Sequence, residues 1–186
     1  MNEQEAIELI RQSLDDKRYE HSLRVAETAK KLAITHQAPL ERVVLASLLH
    51  DYAKCQSPTK LQAKLQQYEL TQSLGEYHHE LWHGPVAAKE LSVTNLVDDT
   101  EIIRAIYYHT TGHPNMGLLE LIVFVADYIE PARTMPGVEE VRALANENIY
   151  EAARIAIKNT IMYLMTQDAV IHPDSWAAYN EWTKKY

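Results

Sequence analysis

Apolar residues recur at helical spacing along nearly the whole chain. Ala6, Ile7, Leu9, Ile10 and Leu14 share one side of a helix over residues 3–14, with Asn2 placed to cap it. Leu23, Ala26, Ala29, Leu32 and Ala33 carry a second pattern from Lys17 to His36 without Gly or Pro, and Pro39 suits the first turn of a third helix. That third segment holds Val43, Val44, Leu45, Ala46, Leu48 and Leu49 with no charge until Asp51, so it is apolar on every side and reads as buried.

Ser57-Pro58 opens a helix through Leu61 and Leu65, and Gly84-Pro85 marks a break before residues 86–91, which places His83 at a helix entrance. Asp98-Asp99-Thr100-Glu101 resembles a capping box and begins a helix that carries Ile102, Ile103 and Ile106 toward His109 on its apolar face. Residues 118–126 are apolar except for Glu120 and end in Asp127. Asn148 with Glu151 begins a long helix through Ile155, Ile161, Leu164 and Met165, and His172-Pro173 precedes a last one with Trp176, Tyr179 and Trp182. The pattern predicts an all-α, compact bundle of roughly nine or ten helices.

Composition supports this. With 46% apolar and 24% charged residues the chain is globular rather than disordered, and its five glycines and single phenylalanine favour helices over strands. Its 186 residues suit a single domain over 1–186. Met1-Asn2-Glu3-Gln4-Glu5 is polar and acidic, unlike a secretory signal, and no run approaches the roughly 18 apolar residues of a membrane span, so a cytoplasmic location and no membrane partner are expected. Cys55 stands alone, which leaves no internal disulfide and no thiolate zinc site. A net charge of −8 argues against a nucleic-acid partner but is compatible with a small polyanion if bound cations supply charge locally.

Of nine histidines, His36, His78 and His79 sit in polar stretches and read as solvated surface. His21, His50, His83, His109, His113 and His172 remain, with Asp51 and Asp127. Each of these two aspartates follows a run too apolar to face water, and an unpaired buried carboxylate costs several kcal/mol. The only charges in or beside those runs are Glu120, itself acidic, and Arg42 and Lys54 at the margins, so metal is the economical partner. The competing reading makes His21, His50 and His109 core histidines bonded to backbone or to one another, with Asp51 and Asp127 capping neighbouring helices.

Imidazole and carboxylate donors without thiolate suit Fe(II), Mn(II), Co(II) or Zn(II), and enough are present for two ions sharing one carboxylate. Two ions about 3.5–4 Å apart can hold a bridging hydroxide and neutralise phosphate oxygens, which matches phosphoester or phosphoanhydride hydrolysis. Arg18 and Arg24 flank His21 on one side of its helix, Lys54 follows Asp51, and Arg133 follows Asp127 after the Pro131 break. Each is a candidate phosphate ligand or a solvated charge. Thr110-Thr111-Gly112-His113-Pro114 offers hydroxyl and backbone donors, or is a plain turn. Cys55 has no base beside it and reads as an inert thiol. Trp176, Tyr179 and Trp182 read as packing or a subunit contact, which leaves a homodimer open, or as a base-stacking platform.

The order His21, His50-Asp51, His83, His109 and Asp127 resembles the HD superfamily of metal-dependent phosphohydrolases. More narrowly, residues 18–25 (RYEHSLRV), 48–54 (LLHDYAK), 83–88 (HGPVAA), 106–112 (IYYHTTG) and 126–133 (ADYIEPAR) are similar to the YqeK family of bacterial symmetrical bis(5'-nucleosyl)-tetraphosphatases. The resemblance implies an HD domain whose di-iron centre, with manganese or cobalt as other metals, hydrolyses diadenosine tetraphosphate into two ADP. By that likeness His21, His50, Asp51 and Asp127 hold one metal, and His83, His109 and a bridging Asp51 hold the second. A bridging hydroxide would attack an inner phosphate, with Asp51, Lys54 and His50 as the catalytic set. Arg18, Lys54, Thr110 and Arg133 would hold phosphates, with Arg24, His21, His83 and His109 beside the substrate, and Ile171 would edge the base pocket. The implied partners are a dinucleoside polyphosphate and an ADP- or GDP-like product. The alternatives are an HD phosphohydrolase for another nucleotide and a non-catalytic nucleotide sensor.

Overall fold

Asn2 caps the first helix: its side chain accepts from the Glu5 amide while Glu5 accepts from the Asn2 amide, closing a capping box. That helix, α1, covers Glu3–Ser13 in this computed structural model, which describes residues 1–185. It is followed by α2 (Asp16–Thr35), α3 (Leu40–Leu49), α4 (Pro58–Gln67), α5 (Thr71–Leu74) and a 3-10 turn (His79–Leu81). Then come α6 (His83–Val93), α7 (Thr100–Tyr108), α8 (Leu118–Ile129), α9 (Val138–Glu147), α10 (Ile149–Thr166) and α11 (Pro173–Lys185). The fold is all-α, with no strand among the described residues and slightly more helices than the sequence pattern suggests. The additional ones are the single turn α5 and α9, whose Val138, Val141 and Ala145 are buried.

Asp15, Ser57, Asp99 and Asn148 cap α2, α4, α7 and α10 by accepting backbone N–H bonds. Two starts differ from expectation. Pro39 sits just before α3 rather than in its first turn. Gly84-Pro85 does not break the chain, because α6 begins at His83 and takes Pro85 into its first turn, where the missing N–H has no intrahelical acceptor to lose.

Helix ends follow from the scarcity of glycine. Gln37, Glu69, Asn95 and Asp168 adopt φ of 50 to 58° just past α2, α4, α6 and α10. The next amide then reaches back to the last turn, Ala38 to Ala33 at 2.9 Å, Leu70 to Leu65 at 2.8 Å, and Leu96 to Leu91 and Ala169 to Leu164 at 3.0 Å. These are Schellman closures made without the residue that tolerates left-handed backbone at least cost.

The centre of the bundle is α8, buried from Leu119 to Ala126 and packed on α2, α3, α7, α9 and α10. The one charge within that buried run, Glu120, is tolerated because it pairs with Arg104 at 3.0 Å and accepts from the Gly117 amide at 2.5 Å. Because α2, α3 and α7 lie against α8, the C-terminal ends of α3, α7 and α8 and the early turns of α2 are drawn to one region. No helix is long and apolar enough to cross a membrane.

Candidate metal centre

Burial of Val43 through Leu49 carries the end of α3 inward, so His50 is fully enclosed and Asp51 nearly so. His50 turns its Nδ1 onto the Ser47 carbonyl at 2.6 Å, three residues back. The same device recurs: His83 Nδ1 meets the Glu80 carbonyl at 2.7 Å and His109 Nδ1 the Ile106 carbonyl at 2.8 Å. A carbonyl can only accept, so Nδ1 carries the proton in all three rings. His21, on α2, is anchored instead by the Glu130 carboxylate, 3.1 Å from its Nδ1. The Nε2 atoms of His50, His83 and His109 are therefore left with free lone pairs, and His21 turns its Nε2 toward Asp127.

All four converge on Asp51, which divides them into two sets. Its Oδ2 lies 3.8 Å from His21 Nε2 and 3.6 Å from His50 Nε2, and Asp127 Oδ1 stands 3.0 and 3.9 Å from the same two atoms. Its Oδ1 lies 3.0 Å from His83 Nε2 and 3.8 Å from His109 Nε2. His83 Nε2 and His109 Nε2 are 3.0 Å apart, although neither has a proton to give the other. His21 Nε2 and His50 Nε2 are buried without any hydrogen-bond partner. Acceptors facing acceptors in a buried volume repel unless a cation joins them, so the donor set fits metal. His21, His50 and Asp127 form one group able to hold an ion, and His50, Asp51 and His109 another.

The electrostatics agree. Burial lowers the His50 pKa and pushes His109 down to about 3, which keeps both imidazoles neutral. Burial also opposes ionisation of Asp51, and the Arg18 guanidinium, 3.1 Å from its Oδ2, favours it. For Asp127 the same opposition from burial is overcome by the Arg133 guanidinium at 2.6 Å, which holds the carboxyl below its usual range.

The two aspartates do have protein cations: Arg18 Nη1 lies 3.1 Å from Asp51 Oδ2, and Arg133 places Nη2 2.6 Å from Asp127 Oδ1 and Nε 3.0 Å from the Asp127 carbonyl. Asp127 is also only partly buried, with 21% of its side chain exposed, because it lies at the edge of a cavity. The free imidazole nitrogens, rather than uncompensated carboxylates, carry the assignment.

The six expected ligands are thus brought together. Arg18, Thr110 and Arg133 border them, Thr110 Oγ1 at 3.1 Å from His109 Nε2. Lys54 lies 3.5 Å from His83 Nδ1 but is paired with Glu80 at 2.5 Å. Arg24 stands behind the ligands, bonded to Glu130 at 2.8 Å. Ile171 is half-buried and is not among the residues that line the cavity beside Asp127. His113 and His172 lie apart, His172 tilted against the Tyr77 ring and His113 against the Tyr108 ring. His36 is not free surface, since its Nε2 donates to the Ala145 carbonyl at 2.6 Å, whereas His78 is exposed. Cys55 is exposed and its thiol pKa is raised by partial desolvation, in keeping with an inert thiol. Trp182 is a core residue against Phe124, while Trp176 is 40% exposed.

Sequence reasoning misses Glu130, buried at the end of α8, whose only signal is an acidic residue before the helix-ending Pro131. It also misses the cavity, about 590 Å³, which runs from His109, Thr110, Asp127 and Arg133 past Tyr128 and Met135 to Tyr163 of α10. Nothing in the spacing of α8 and α10 announces that their facing sides stay apart there.

A helical bundle with this ligand order is an HD domain, and the HD domain family model matches residues 18–132: the chain belongs to that family. Within it, the chain groups with the symmetrical bis(5'-nucleosyl)-tetraphosphatases. It is 39% identical over 180 residues to the one from Bacillus subtilis, covering 97% of each chain. It is 40% identical over 178 residues to the one from Staphylococcus aureus, covering 92% of this chain and 90% of the relative. A crystal structure from Clostridium acetobutylicum, described as a predicted HD superfamily hydrolase involved in NAD metabolism, superposes with a TM-score of 0.88 at 31% identity, covering 98% of this chain and 97% of that one.

Proposed function

We propose that this chain hydrolyses dinucleoside tetraphosphates symmetrically, with diadenosine tetraphosphate giving two ADP, on two divalent ions. The observation that carries the proposal is Asp51, whose two oxygens face separate pairs of unprotonated imidazole nitrogens. The names of the relatives support the substrate class. His21, His50, Asp127 and Asp51 Oδ2 would hold one ion, and His83, His109 and Asp51 Oδ1 the other. Bound there, the ions would supply Lewis acidity and a water acidified to near neutrality, and iron, manganese and cobalt all suit the donors.

The chain's own residues do the rest. The Nδ1 anchors hold each ring in the one tautomer that can ligate. Arg133 and Thr110 stand where the cavity meets the ligands and offer donors to phosphate oxygens, and Arg18 does so from beside Asp51. Lys54, released from Glu80, adds a movable charge for the developing negative oxygen. The cavity is of a size that takes a nucleoside between Tyr128 and Tyr163. A nucleoside fixed there, with its phosphates on Arg133, sets which anhydride lies over Asp51, and so makes the cut symmetrical.

The test is to purify the protein anaerobically, add Fe(II) and diadenosine tetraphosphate, and resolve the products by chromatography beside the His50→Ala variant. ADP as sole product, lost in the variant, is the expected result. AMP with ATP overturns the symmetrical geometry, and no turnover overturns the substrate assignment.

A further inference from the structure

Three of the four imidazoles are anchored on neutral backbone carbonyls, and only His21 is anchored on a charged group. Glu130 is 2% exposed and sits at the C-terminal cap of α8. Its Oε1 lies 3.1 Å from His21 Nδ1, while its Oε2 accepts from Arg24 Nε at 2.8 Å and from the Ala132 amide at 2.9 Å. The carboxylate is thus fixed at three points, between the Arg24 guanidinium, the Ala132 amide and the His21 ring. The oxygen nearest His21 is left to the imidazole, with Arg133 Nε no closer than 3.9 Å.

We propose that Glu130 is a positioning residue that makes the two ligand sets unequal, so that the His21, His50 and Asp127 set binds its ion more tightly than the His83 and His109 set. The inference rests on the two-ion reading above. A charged acceptor polarises the Nδ1–H bond more than a carbonyl does and makes the opposite Nε2 a better donor to metal. Because Glu130 is buried, water does not screen this effect. It is transmitted only through His21, so the second set is indifferent to it.

The experiment is an anaerobic titration of the metal-stripped full-length chain with Co(II), followed by calorimetry and visible absorption. The expected result is two binding events of unequal affinity, of which His83→Ala removes the weaker. Glu130→Gln keeps the shape of the side chain but removes its charge, and it should weaken the tighter event by roughly 10- to 100-fold while leaving the other unchanged. In protein labelled with 15N-histidine, the His21 Nδ1 proton should resonate furthest downfield of the four and move upfield in Glu130→Gln. Two equal events, removal of the tighter event by His83→Ala, or a Glu130→Gln variant that spares the tighter event or weakens both alike would overturn the proposal. Uptake of fewer than two ions by the unmodified chain would overturn the two-ion reading itself, and so separates the two failures. Should Glu130→Gln fail to fold, the spectrum of the unmodified chain decides: a His21 proton no further downfield than the other three refutes the role of Glu130.

Discussion

Gly84 and His109 touch across the packing of α6 on α7. A Cβ on Gly84 would stand 3.0 Å from His109 Cε1 and 2.9 Å from the Ile106 carbonyl oxygen, the acceptor that holds the His109 ring. The residue after His83 therefore has to be a glycine for the other ligand of its pair to lie in place. Gly84→Ala should cost about 1–3 kcal/mol of stability through overpacking. Turnover should fall about 10- to 100-fold as His109 shifts off its anchor. Thermal melts, metal content and kcat of the variant check this, and normal metal content with normal kcat would contradict it.

The metal-stripped protein should lose stability in acid. Burial holds His109 at about 3 and His50 below its usual value, whereas unfolded imidazoles titrate near 6.5. Below that value the unfolded chain binds protons that the fold refuses, so stability declines as pH falls. Asp127, whose folded carboxyl beside Arg133 lies below its unfolded value of about 3.9, stabilises the fold above that pH and adds a further loss below it. Melting temperatures of chelator-treated protein from pH 7.5 down to 4 should drop steadily, and a flat profile would contradict the assignment of neutral buried imidazoles.

Asp51 is the single side chain shared by both sets. Asp51→Ala should retain neither ion after gel filtration and show background turnover, whereas His83→Ala should keep one ion. Elemental analysis of the purified variants distinguishes the two patterns.

Glu80 ties up the Lys54 ammonium beside His83 in an ion pair at 2.5 Å, and 54% of the Glu80 side chain is exposed. Such an exposed partner contributes little, so Glu80→Gln should lower KM by only about two- to fivefold as Lys54 is freed for phosphate. The effect should shrink in high salt. A raised KM would mean that Glu80 positions Lys54 instead of restraining it.

Asp168 occupies left-handed backbone with φ of 50° in an exposed turn after α10. Asp168→Gly relieves that strain and should stabilise the fold by about 1 kcal/mol, read as a rise in melting temperature.

The ligand positions at the ends of α3, α7 and α8 are legible in the sequence because those helices are apolar enough to be forced inward. His50 and Asp51 end α3, His109 ends α7, and Asp127 comes near the end of α8, so burial of the helix decides where they point. Partners across the bundle are not legible in this way. Arg18 lies on the same helix side as His21 in any reading, but its approach to Asp51 depends on how α2 crosses α3. Glu130 is hidden for a related reason: an acidic residue before proline looks like a solvated helix end, and only the fold brings α2 against it. The helix α9 does carry an apolar repeat at Val138, Val141 and Ala145, following Gly137 at φ 82°, so there the pattern exists and is simply short.

The ligand atoms are gathered from residues 21 to 127, on α2, α6 and α8 and at the ends of α3 and α7. No fragment that stops short of α8 contains a complete first set. During synthesis, therefore, the first set is completed only when the ribosome has released the chain past Asp127, with Glu130 and Arg133 soon after it, whereas Asp51, His83 and His109 all emerge earlier. On the two-ion reading, a nascent or truncated chain would hold at most the second ion, and filling of the first set would report that the last helix of the cluster has docked.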